Sequence, residues 1–150
     1  MAKICGIDEA GRGALAGELV VAGCVFKPKF KKEIIKLGLS DCLRRALNVI
    51  KMHFNECNFI YDGNCDYGVK NIKTIVKADS SVPQVSAASI IAKVSRDRQM
   101  RRFDKIYPDF GYAKHKGYGV KAHIEALKQH GSNELTRLSF HLKALEKSLF

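Results

Sequence analysis

GIDEAGRGALAG, residues 6–17, closes a short apolar run with two adjacent acids, Asp8 and Glu9, and follows them with a glycine-rich loop carrying Arg12. Gly11 to Ala16 match the G-x-G-x-x-A pattern of dinucleotide-binding loops, and Glu33 lies near the usual distance downstream. That pattern needs a helix to begin at the loop, so that its amino-terminal dipole faces a pyrophosphate. Here the loop leads into LVVAGCVF (residues 19–26), whose valines favour a strand. Two carboxylates just ahead of the loop would also repel a pyrophosphate. The stretch therefore predicts two strands, residues 2–7 and 19–26, joined as a hairpin, with both acids where the first strand ends.

Two further β-rich runs, FIYDGN and IKTIVKAD, end in Asp62 and Asp79. If the three acid-bearing strands are neighbours in one sheet, their ends bring four carboxylates together. Such a cluster repels itself and holds some members protonated unless a cation compensates. Mg2+ and Mn2+ suit it, because they take oxygen ligands and keep positions open for water or phosphate. Two such ions roughly 4 Å apart can activate a water and steady the leaving oxygen of a phosphodiester. The alternative is that each aspartate merely caps the turn after its strand.

The whole chain agrees with a phosphate-rich partner. Lys and Arg number 26 against 15 Asp and Glu, a formal +11 at pH 7, and neutralising phosphates releases their counterions. The 150 residues suffice for one core and one domain. Cys5, Cys24, Cys42, Cys57 and Cys65 are odd in number and contain no C-x-x-C pair, which argues for a reducing compartment and against a disulfide framework. His53 with Cys42, Cys57 and Cys65 fits no usual zinc spacing. The longest apolar run is too short to span a bilayer, so the reading is cytoplasmic, with no membrane partner.

Between the hairpin and the third strand lies the basic stretch KPKFKKEIIKLGLSD, with a turn at Pro28, and then a helix from Ser40 with Leu43, Leu47, Ile50 and Phe54 on one face. The longest helix begins after the Ser80–Ser81 cap with Pro83 in its first turn; its small residues from Ser86 to Ser89 permit close packing. A basic loop KHKGYG precedes a helix ending at Gly131, a left-handed cap, and a last helical piece closes the chain.

GIDEAGRGALAG, YDGN, KADSSVPQVSAASIIAKVSRD and KHKGYG, in this order, closely resemble the motifs of bacterial ribonuclease HII, the type 2 ribonuclease H family. The resemblance implies an α/β fold, an RNase H-like mixed sheet flanked by helices, with residues 107–150 as a substrate-contacting helical portion. It implies cleavage on the 5′ side of ribonucleotides in RNA–DNA hybrids or embedded in duplex DNA, with Mn2+ or Mg2+ as cofactor, by a protein that is monomeric in that family. Its metal-binding acids fall on Asp8, Glu9, Asp62 and Asp79. Its Gly-Arg-Gly loop falls on Gly11, Arg12 and Gly13, where backbone approaches the 2′-hydroxyl. Its sugar-stacking tyrosine falls on Tyr118, and Lys77, Lys93, Lys116 and Arg137 are candidate phosphate contacts.

The pattern departs in two places. The family's His-Arg-x-Ser-Phe reads Thr136-Arg137-Leu138-Ser139-Phe140 here, so a histidine is lost. A lysine-rich segment, a helix and a strand are missing after the hairpin, which implies an internal deletion joined around Gly38–Cys42 and the loss of one helix and one edge strand. A binding protein impaired in catalysis by that deletion, and a general nuclease or resolvase on the same fold, are the competing functions.

Overall fold

The computed structural model describes residues 3–25, 34–36, 48, 52, 57–137, 139 and 140. Among them, five strands form one mixed sheet: β1 (Lys3–Ala10), β2 (Val20–Val25), β3 (Ile34–Lys36), β4 (Cys57–Asp62) and β5 (Ile72–Ile75), in the order β3-β2-β1-β4-β5. The helices are α1 (Pro83–Ile106), the single turn α2 (Tyr112–His115) and α3 (Lys121–His130), with short 3-10 turns at Ala78–Ser80 and Pro108–Phe110. No helix among the described residues is long and apolar enough to cross a membrane.

The predicted hairpin is present, but β1 runs beyond both acids. Antiparallel pairing with β2 continues through Asp8↔Ala22 and Glu9↔Val21 to Ala10↔Val20, so ladder hydrogen bonds carry the strand past the point where its apolar run stops. β4 and β5 add in parallel, with Ile7↔Tyr61 and Asp62↔Ile75 in register.

The deletion was expected to remove one edge strand of the family's sheet; the three-residue strand Ile34–Lys36 pairs on the outer side of β2, Val20 opposite Lys36. Of the helix expected from Ser40, only Asn48 and Met52 are described, and both are helical; Leu43, Leu47, Ile50 and Phe54, and the proposed junction at Gly38–Cys42, lie outside the described residues. Gly131 ends α3 with φ +77° but an extended ψ of −172°, so it takes positive φ without the left-handed helical conformation. The described start of the last segment is not helical either. Asn133 folds it into a turn, its Oδ1 accepting from the Leu135 amide at 3.0 Å and its carbonyl from the Thr136 amide at 2.9 Å.

The chain divides into two compact units, one comprising the residues up to Ala10 and Leu19–Ser95, the other Gly11–Glu18 and the residues from Arg96 onward. In the first, Cys5, Ile7, Leu19, Val21, Phe59 and Tyr61 form a core on one sheet face. On the opposite face Val20, Ala22 and Cys24 pack against Ala88 and Ala92 of α1. In the second, Ala16, Met100, Phe110, Tyr112 and Leu127 form a separate core.

The small residues of α1 do allow close approach, and Gly6 completes it. A methyl group at Gly6 would strike the backbone of Gln84 and Val85, which cannot rotate away as a side chain can. Gly6→Ala is expected to cost about 2–3 kcal/mol, as overpacking a tight core does, measured by urea unfolding.

Candidate active site

Consecutive residues of a strand point to opposite faces, and this separates Asp8 from Glu9. Glu9 lies on the side of Ile7 and the first core, and its carboxylate accepts a 2.7 Å hydrogen bond from the Tyr61 hydroxyl. Asp8 lies on the side of Gly6 and α1, where its carboxylate interacts with the Ser89 hydroxyl. The Glu9 amide also donates to Asp8 Oδ1 at 2.7 Å.

Asp8 is only 9% exposed. Burial, opposed by the Glu9 amide and the Ser89 hydroxyl and reinforced by the charges of Glu9 and Asp62, pushes its carboxyl up to about 6.

Asp62 closes β4, and the parallel register carries it level with Asp8, near enough for its charge to act there. Its Oδ1 accepts from the Ala78 amide at 3.2 Å, which ties the turn carrying Asp79 to the end of β4. Lys77 enters that turn at φ +57°, and its carbonyl accepts from the Ser80 hydroxyl at 2.7 Å. Asp79 itself is exposed. Among the described residues no three His, Cys, Asp or Glu side chains are gathered at metal-holding distance. The strand tips thus bring Asp8 and Asp62 together and Asp79 to their edge, while Glu9 is turned onto Tyr61.

The donor chemistry nevertheless fits a hard divalent cation. A buried carboxylate whose proton is held up by lost solvation and by two neighbouring acids has its charge only partly compensated by one amide and one hydroxyl. An oxygen-seeking cation would relieve that cost.

The second unit is built around the loop Gly11–Glu18. Arg137 is woven into it: Nη1 donates to the carbonyls of Gly11 at 2.7 Å and Arg12 at 3.3 Å, and Nε to that of Gly17 at 2.8 Å. Leu15 and Ala16 donate their amides to the Gly117 carbonyl, and Ala14 and Ala16 pair with Tyr118 and Thr136 as isolated bridges. Gly11 is buried at φ +94°, while a side chain at Gly13 would meet open space. Arg12 is exposed, and Tyr118 is 41% exposed with its ring over Arg96. The Lys116 ammonium is engaged by the Ala113 carbonyl, whereas Lys77 and Lys93 are exposed.

Sequence reasoning missed Arg96, Ser89 and Tyr61. Arg96 had a legible signal: Ala88, Ala92, Arg96 and Met100 recur every four residues, which puts an arginine in the buried stripe of α1. Ser89 and Tyr61 carried none, since their tasks arise only from the sheet register.

The ribonuclease HII family model matches residues 5–48 and 46–143. Ribonuclease HII of Campylobacter concisus (strain 13826) is 49% identical, with all of both chains covered. That alignment runs over 185 positions, 35 more than the 150 residues of this chain, and the gap with the split family match supports an internal deletion. The fold is shared with the ribonuclease of an Archaeoglobus fulgidus PCNA:RNase HII complex, at a TM-score of 0.71 and 23% identity, covering 94% of this chain and 96% of that one. It is also shared with Bst-RNase HIII in complex with Mn2+, at a TM-score of 0.60 and 15% identity, covering 99% of this chain and 69% of that one. The chain belongs to the ribonuclease HII family, endonucleases of the ribonuclease H type.

Proposed function

We propose that this chain hydrolyses the phosphodiester on the 5′ side of a ribonucleotide, in an RNA–DNA hybrid or embedded in duplex DNA, leaving a 3′-hydroxyl and a 5′-phosphate. Asp8, Glu9, Asp62 and Asp79 would hold two Mg2+ or Mn2+ ions. Such ions supply a water of lowered pKa and neutralise charge developing on the leaving oxygen. The observation that carries the reading is the parallel register of β1 and β4, which sets Asp62 beside a buried Asp8 whose carboxyl is pushed up to about 6. The Mn2+ complex of the structurally similar RNase HIII is consistent with it.

The chain's own groups divide the remaining work. Asp8, held by Ser89 and the Glu9 amide, fixes one carboxylate against the sheet. The open space at Gly13 leaves room for a ribose 2′-hydroxyl, and the exposed ring of Tyr118 offers a face for a sugar. Arg12, Lys77 and Lys93, all exposed, would meet backbone phosphates, and Lys116 and Arg137 also bond carbonyls of their own unit. Cys5, Cys24 and Cys65 are free thiols, in keeping with a cytoplasmic setting.

A duplex containing a single ribonucleotide, incubated with Mg2+ or Mn2+, is expected to be incised once, and an all-DNA duplex left intact. No incision by folded protein defeats the proposal. A second reading, a binder impaired by the deletion, is favoured by the dispersed side chains of the acid set. It predicts duplex binding without turnover, unchanged by Asp8→Asn.

A further inference from the structure

Arg96 is only 1% exposed, and by volume it is the largest fully buried side chain among the described residues. Burial disfavours its charge and lowers its pKa, so retaining a guanidinium there demands hydrogen-bond acceptors. Three carbonyls supply it: Nε donates to Glu18 at 3.0 Å, Nη2 to Ala16 at 3.0 Å and Nη1 to Lys116 at 2.6 Å. Ala16 and Glu18 close the glycine-rich loop, whereas Lys116, at φ +54°, opens the turn that presents Tyr118. The guanidinium carbon lies 5.3 Å from the centroid of the Tyr118 ring, within reach of a cation–π contact. Gly11 lies against the same side chain, and a methyl group there would overlap Arg96 Nε. One planar fork therefore touches both segments assigned to the ribonucleotide, and a lysine, with its single point charge, cannot span three separate carbonyls.

We infer that Arg96 is a positioning residue for ribonucleotide selection, locking the Gly11–Glu18 loop to the Lys116–Tyr118 turn so that loop backbone and tyrosine ring address one sugar together. The inference rests on the ribonuclease reading above. It goes further by placing selectivity under the control of a residue that would not touch the nucleic acid.

The test is equilibrium binding by fluorescence anisotropy in an Asp8→Asn background, where cleavage is suppressed. It compares a duplex carrying one ribonucleotide with its all-deoxy counterpart. Arg96→Lys is expected to reduce the preference for the ribonucleotide by about tenfold while all-deoxy affinity stays within about threefold, and in a Tyr118→Ala background to change the preference by no more than about twofold, since the two side chains act as one unit. Arg96→Gln, which buries no charge, repeats the measurement should the lysine variant melt early. A folded variant that keeps its preference, loses affinity equally for both duplexes, or adds its effect to that of Tyr118→Ala overturns the inference. A starting protein with no preference sinks the ribonucleotide reading and this inference with it, whereas preference retained without Arg96 sinks the inference alone.

Discussion

Asp8→Asn is expected to lower cleavage by on the order of 10³-fold and, in the same protein, to raise stability at neutral pH. Both effects come from one carboxylate. Its pKa is pushed up from 3.8 to about 6, chiefly by burial and then by the neighbouring charges of Glu9 and Asp62. Between those values the folded chain holds a proton that the unfolded chain has released, so stability falls as the pH rises through the window and remains lower above it. A shift of about two pH units corresponds to roughly 2–3 kcal/mol. Asparagine, uncharged at every pH, escapes that loss. Urea unfolding in the presence of a chelator should therefore show the variant more stable at pH 8 and equal to the parent at pH 4. Added Mn2+ should stabilise the parent and leave the variant little changed, because binding to the folded state alone raises its stability. A variant less stable than the parent at pH 8 would refute the burial argument, whatever its activity.

What could be read in advance followed periodicity. β1, β2, β4 and β5 were legible as short β-rich runs between turns, and α1 and α3 as long patterns with caps. Ile34–Lys36 was not, because two isoleucines among lysines carry no alternation and the strand exists only through its pairing with β2. The loop after Glu9 was read correctly as a connection between strands, but its bridges to Tyr118 and Thr136 depend on partners more than 100 residues away. Of the acid set, Asp62 lies near enough to Asp8 for its charge to act there. Asp8 and Glu9, as neighbours on a strand, face opposite ways, and Glu9 meets Tyr61. Arg137 was read as a candidate phosphate contact, and in the structure it holds three carbonyls of the glycine-rich loop. Charge counting cannot separate an arginine that faces solvent from one that satisfies backbone.

Gly11→Ala joins these two lessons and is expected to be the most damaging conservative change outside the acids. The backbone at Gly11 sits at φ +94°, a conformation that side-chain-bearing residues adopt only with strain. The added methyl would also overlap the side chain of Arg96. Elsewhere a flexible arginine could swing aside, but this one is buried and bonded to three carbonyls, so moving it leaves a desolvated charge and unpaired acceptors. Strain and displacement together should cost about 3–5 kcal/mol, readable as a lowered urea midpoint. Gly13→Ala is the control, because a methyl there meets open space and should leave stability within about 1 kcal/mol. If Gly13 serves to admit a ribose, that same variant should weaken cleavage of the ribonucleotide duplex while unfolding like the parent. Equal unfolding by both glycine variants would show that Arg96 yields, and that the loop is not held as its hydrogen bonds imply.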